Sequence, residues 1–197
     1  MAFPTVSAPY GFKPINRFDG MPYAGATNQY PVTSGQAVYN GQVLKFVNGG
    51  TVSPLALTGQ TSIYAVGICV GVQYTNSSGQ TVQAQYAPAS GVTNVIAYVV
   101  DDPFALFKVA ITGNNSTITA AGKNIVGTNV TGIVGTPDAT TGNATSSIYG
   151  GSAAVTATFP FRVVSVVPET ATGADAFVEC IVKLNLSQLL STTGNGV

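Results

Sequence analysis

The chain has 197 residues, of which 45% are hydrophobic and only 7% charged, and its seven basic residues are balanced by seven acidic ones. Soluble proteins ordinarily carry about 25% charged residues, and nucleic-acid binders gather a basic stripe that displaces counterions from phosphate. The zero net charge supplies no such stripe, and the absence of histidine removes the commonest general base and metal ligand near neutral pH.

The length suits one domain, and a chain this long buries roughly 70% of its unfolded surface in a core. The polar remainder is Thr, Ser, Asn and Gln, with 23 Gly and 11 Pro. β-Branched residues fit a pleated surface, and Gly, Asn and Pro make turns, so an all-β fold is expected. No segment reaches the roughly 18 apolar residues that span a bilayer. The longest apolar run, Ile63 to Val72, has the length of a buried strand. Met1-Ala2-Phe3-Pro4 lacks the basic start and apolar stretch of a signal peptide.

Residues 1–30 show no clean periodicity and read as an extended N-terminal arm. Pro4, Pro9, Pro14, Pro22 and Pro31 remove backbone donors and favour extended geometry. Aromatic residues lie between them, which argues for a segment that packs against something. Two readings are open: the arm packs on its own domain, or it grips a partner. On the second reading the anchors are Tyr10, Phe12, Phe18, Tyr23 and Tyr30, since aromatic side chains are enriched at binding hot spots.

Residues 31–186 carry the strand signals. Val43 to Val47, Asn48-Gly49-Gly50 and Thr51-Val52 read as a hairpin, because such turns need positive φ angles. Ile63 to Tyr74 reads as one long buried strand closed by the turn Asn76-Ser77-Ser78-Gly79. Thr81 to Tyr86 and Val95 to Val100 follow, and Phe104 to Ile111 puts Ala105, Phe107, Val109 and Ile111 on one face. Residues 113–151 read as a loop-rich Gly/Thr/Asn insertion with short strands around Ile125 and Ile133. Period-two order resumes with Val155, Ala157, Phe159, Phe161, Val163 and Val167, where Pro160 argues for an edge or a bulge. In the last strand Ala176, Val178, Cys180, Val182, Leu184 and Leu186 form one apolar face. Residues 187–197 read as a polar tail. Short strands separated by turn signals indicate a single β-barrel or β-sandwich domain.

The catalytic inventory is thin. Without histidine, Ser-His-Asp and Cys-His sites are excluded, and no zinc cluster or P-loop is present. Of the seven carboxylates, only Asp101 and Asp102 adjoin in sequence. On a strand their side chains would point to opposite faces. Preceding Pro103, the pair reads as a turn into the next strand, with a calcium site as the alternative. Cys69 and Cys180 fall on apolar faces and read as core thiols, with a mutual disulfide as the alternative. No cofactor is implied.

Ala8-Pro9-Tyr10-Gly11-Phe12-Lys13-Pro14-Ile15 resembles the "AP(Y/F)G(F/L)(K/R)P" start of small virion proteins of tailed bacteriophages. Gly20-Met21-Pro22-Tyr23-Ala24-Gly25 looks like their "G(x)P(Y/W)(x)G" stretch, and Asp101-Asp102-Pro103-Phe104 with Phe107-Lys108-Val109 like "DDP(x)xxF(x)V". Val182-Lys183-Leu184-Asn185-Leu186-Ser187-Gln188 resembles "V(K/R)(x)N(x)HQ", with Ser187 replacing the usual histidine. Ser34 to Val43 is also similar to the "G(x)xVxxGxV" pattern of β-tulip head-decoration proteins.

The resemblance implies a structural, non-enzymatic role: a capsid decoration, or cement, protein on the outer surface of the phage head. Its partners would be the major capsid protein and other copies of itself, as a trimer or dimer, with no nucleic acid and no membrane. A tail or neck component is the alternative within the structural class. A carbohydrate-binding or hydrolytic β-domain is the alternative outside it, although the chain has no tryptophan.

Overall fold

The computed structural model describes residues 6–113, 125–171 and 177–190. Within them run strands β1 (Lys13–Arg17), β2 (Asn28–Pro31), β3 (Val38–Tyr39), β4 (Val43–Val47), β5 (Thr51–Pro54), β6 (Gly67–Asn76) and β7 (Thr81–Ala84). They continue with β8 (Tyr86–Ala87), β9 (Val92–Val100), β10 (Ala105–Thr112), β11 (Asn129–Ile133), β12 (Ser147–Ala154), β13 (Phe161–Val166) and β14 (Val178–Leu184). The fold is all-β, as the Thr-, Val- and Gly-rich composition implies. A single short 3₁₀ turn, Pro168–Thr170, is the one helical piece among the described residues.

β3 and β8 pair as a separate two-stranded sheet, and the other strands form two sheets that close on themselves. In the first barrel β10, β14, β13, β11 and β12 pair in turn, and β12 returns to β10 through Ile111 and Ile148. β1 and β12 share one edge of β10, β1 covering Ala105 to Lys108 and β12 covering Ile111 and Thr112. Alternation explains the core: Phe107, Val109 and Ile111 of β10 meet Val178, Cys180 and Val182 of β14 inside, all buried. Burying each such side chain contributes roughly 1.5–3 kcal/mol.

In the second barrel the order is β2, β9, β6, β4, β5. A bridge between Val32 and Val52 ties the two ends, supported by the Thr33 N–H donating to Val52 O. β6 carries β9 on one edge, with β4 and then β7 along the other. Its interior holds Leu44, Val52, Val66, Cys69, Val72, Ala97 and Val99. Outward residues of the same barrel (Val43, Leu55, Ile68 and Val100) belong to the core of the first, so the two bodies share a dry seam.

That seam is tight. Gly11 and Gly41 meet backbone to backbone at φ +83° and +81°, and a Cβ on Gly11 would lie 2.8 Å from Gly41 O. Beside them the Lys13 ammonium donates to Asn40 Oδ1 at 2.7 Å and Asn143 Oδ1 at 2.8 Å, linking both barrels through one cation. Burial pulls this ammonium below the ordinary lysine value.

Several expectations need correction. Of the two readings of the N-terminal segment, packing on its own domain is the one seen: β1 pairs with β10, β2 pairs with β9, and Phe12 is fully buried, stacked on Phe161 at 4.8 Å. Its aromatic content fills a core. Residues 125–151 are no exposed insertion either, because β11 and β12 close the first barrel and Asn129, Val130, Thr131, Ser147 and Ile148 are buried. Small and polar residues hid these strands because their hydrogen bonds are met inside: Asn129 Oδ1 accepts from Arg162, and Ser152 Oγ accepts from the Thr131 N–H. Ile125 is buried in a turn, outside any strand.

The apolar run begins its strand only at Gly67. Upstream, the Ala65 N–H donates to Leu186 O and Ala65 O accepts from Gln188, a pairing with the C-terminal segment. The alternation from Val155 to Phe159 is a turn, and Val155 is 94% exposed. Pro160 sits just before β13, which pairs on both sides, and a bulge follows between Val163 and Ser165. The start of the tail is docked: Ser187 is buried, and Gln188 Oε1 accepts from the Phe46 N–H at 2.7 Å. Residues 1–5 of the arm, 114–124 of the insertion, Ala176, and 191–197 of the tail lie outside the described residues.

Candidate docking surface

Of the five expected anchors, four are engaged within the fold. Phe12 is in the core. The Tyr10 hydroxyl donates to Glu179 at 2.5 Å, beneath Lys108, whose ammonium lies 5.7 Å from the Tyr10 ring centre and 3.0 Å from the same carboxylate. Burial and Glu179 together raise the Tyr10 pKa well above the ordinary tyrosine value. The Tyr30 hydroxyl donates to Asp101 at 2.6 Å, and its ring meets Phe46 edge-on. Burial and Asp101 push its pKa up to about 12. Tyr23 is half-buried against the larger core. Phe18 alone projects, at 55% exposure.

Phe18 has a neighbour that the sequence reading placed only as a strand start. Phe104 is 48% exposed, and the Phe18 N–H donates to Phe104 O at 2.7 Å. Two turns hold the pair out. In one, Asp102 Oδ1 accepts from the Phe104 N–H at 2.9 Å, as expected for an Asp-Pro turn. In the other, the Gly20 N–H donates to Arg17 O across Phe18 and Asp19, Gly20 having φ +84°. Arg17 clamps both turns, 2.8 Å from Asp19 and 3.0 Å from Asp102. Its hydrogen bond holds the Asp19 carboxyl below the usual carboxylate range. The Asp101-Asp102 pair is therefore a turn: one carboxylate serves Tyr30 and the other Arg17.

Behind the two rings lies a groove of about 430 Å³, lined by Phe18, Tyr64, Phe104, Lys183, Leu186 and Leu190 among others. The Lys183 ammonium sits 5.1 Å from the Phe18 ring centre, and Arg17 lies 5.9 Å from that of Phe104. Two exposed rings therefore stand side by side with Lys183 at the edge of the groove, while Arg17 is already paired with Asp19 and Asp102.

The second barrel presents a different surface. From Gly20 to Val100 the chain has a single charged side chain, Lys45. The outer face of β7, β6 and β9 carries Thr81, Thr75 and Thr93 in one row, and Gln83, Gln73 and Ile96 in the next. The Tyr98 hydroxyl donates to Gln73 Oε1 at 3.0 Å. The sequence alone could have shown this charge gap, but composition averaged over the chain concealed it.

Cys69 and Cys180 are buried free thiols, one in each core, and burial pushes each up to about 12. Among the described residues no three His, Cys, Asp or Glu side chains gather as a metal site. No family model matches the chain, and neither a curated protein nor a solved structure does.

Proposed function

We propose that this chain is a structural virion protein of a tailed phage, a capsid decoration protein that binds the outer head surface and stabilises the lattice of the major capsid protein. The observation that carries the reading is the charge-poor second barrel, with one charged side chain between Gly20 and Val100. Net charge keeps freely diffusing proteins apart, so a body without it suits permanent cover by neighbours. The motif resemblance points to the same class of particle. The aromatic groove of Phe18 and Phe104 supplies a gripping element with cations at its rim.

The mechanism is area burial. An interface of standard size buries about 1,600 Å², and repetition over a lattice multiplies weak contacts through avidity. Incubating purified protein with undecorated heads tests this. The wild type should coat them at a fixed ratio to the major capsid protein, and Phe18→Ser combined with Phe104→Ser should abolish coating while the protein stays folded. Undiminished coating by the double variant would exclude the groove as the gripping element. Binding to tails or necks alone would move the protein to the alternative position.

A further inference from the structure

We propose that the bare outer edge of β7, Thr81–Ala84, pairs antiparallel with the same strand of a second copy, joining two second barrels into one continuous sheet. β7 is held on one side by β6, from Val72 opposite Ala84 to Thr75 opposite Thr81. The Asn76 N–H donates to Gln80 O. Hydrogen-bonded and non-bonded pairs alternate in an antiparallel ladder, which turns the main-chain groups of Thr81 and Gln83 outward. Among the described residues no main-chain group meets them there.

A bare edge is ordinarily protected by charge, proline or cover. The half-paired strands of the two larger sheets follow that rule, whereas β3 and β8, of two residues each, are too short to offer an edge. β1 is Lys-Pro-Ile-Asn-Arg, and its Arg17 N–H is taken by Met21 O. β2 ends in Pro31, where the chain closes onto Val52, and β5 ends in Pro54. β7 reads Thr-Val-Gln-Ala and has none of these devices. Its side chains beside the edge, Thr81 and Gln83, are exposed, as is the turn Ser77 to Gln80 that leads into it.

The missing charge also identifies the occupant. In a two-fold contact the same patch meets itself, so any charge near the axis faces its own copy. On the axis itself a charge would meet its own copy, and an edge without charge, Thr-Val-Gln-Ala, escapes that repulsion and suits self-pairing. The only charged residue of the barrel, Lys45, lies on β4 opposite Ser53, away from this edge. Centring the pair on Val82 sets Thr81 opposite Gln83 of the second copy, giving about four main-chain hydrogen bonds.

This pairing goes beyond the proposed role and stands or falls without it. Analytical ultracentrifugation of the full chain tests it with wild type, Gln83→Lys, Gln83→Glu and an equimolar mixture of the two variants. Circular dichroism checks that each is folded, which an exposed edge position favours. The wild type should sediment at twice the monomer mass. Each variant alone should dissociate about threefold more readily, because position 83 of one copy lies diagonally across the axis from position 83 of the other, within reach of long side chains, where like charges repel. The mixture should recover the dimer. A wild type that stays monomeric, or an oligomer that neither substitution weakens, overturns the inference.

Discussion

The two barrels of this chain are built from similar strands and differ in how they use polarity. The first holds its charges in side-chain pairs, part-buried where Glu179 lies between Tyr10 and Lys108 and where Arg162 meets Asn129, and at the surface where Arg17 lies between Asp19 and Asp102. These join segments distant in sequence and fix the N-terminal strand to the last one. The second has almost no charge of its own: its outer face pairs amides and hydroxyls, as Tyr98 with Gln73, and the charged groups that meet it, Asp101 on Tyr30 and Lys13 on Asn40, come from outside its strands. Charge in this molecule ties segments of one body together and is scarce on the other.

The sharpest way to break that comparison is at the seam. Phe12→Ala should cost about 3–5 kcal/mol in denaturant unfolding, since it empties a fully buried ring position against Phe161. Deleting residues 1–30 should leave no folded core at all, because β1, Phe12 and most of β2 go with it. A truncated chain with native circular dichroism would refute the shared seam.

Next comes the buried carboxylate. Glu179→Gln should cost about 1–3 kcal/mol, because Lys108 and Tyr10 lose a charged acceptor in a largely dry site. An equal loss from Gln73→Ala, on the uncharged face, would erase the distinction between the barrels.

The pH dependence at the alkaline end is smaller but has a definite sign. Tyr30 ordinarily loses its proton near 10 and does so near 12 in the folded chain. A raised pKa on an acid means the fold prefers the neutral form, so this stabilisation is complete below about pH 10 and lost as pH rises through 12. Cys69 and Cys180 act in the same direction. Thermal melts of Tyr30→Phe should fall less steeply than wild type over that window, whereas parallel curves would contradict the Tyr30–Asp101 contact.

The smallest stability effect is expected at the groove. Phe18→Ser should change unfolding by no more than about 0.5 kcal/mol, since the ring is more than half exposed. A large loss would make Phe18 a structural residue.

The all-β class was legible in the composition, the Val43–Thr51 hairpin in its Asn48-Gly49-Gly50 turn, and the inward faces of β10 and β14 in their apolar alternation. The closure of two barrels was not. It depends on short contacts between distant residues, such as Ile111 with Ile148 and Val32 with Val52, which no local pattern announces. β11 and β12 were concealed by Asn, Thr, Ser and Gly, whose burial becomes affordable only once partners across the barrel satisfy them. At the candidate site, Phe18 stood out in the sequence as an aromatic residue and proves to be exposed. Phe104 and Lys183 were not legible there, because tertiary pairing alone brings residues 18, 104 and 183 together.

Electron cryomicroscopy of purified particles tests the central claim most directly. The account expects density for both barrels on the outer face of the head, repeated with the symmetry of the shell and touching the major capsid protein through the Phe18–Phe104 groove. Particles without this chain, together with free protein that turns over a substrate, would contradict it.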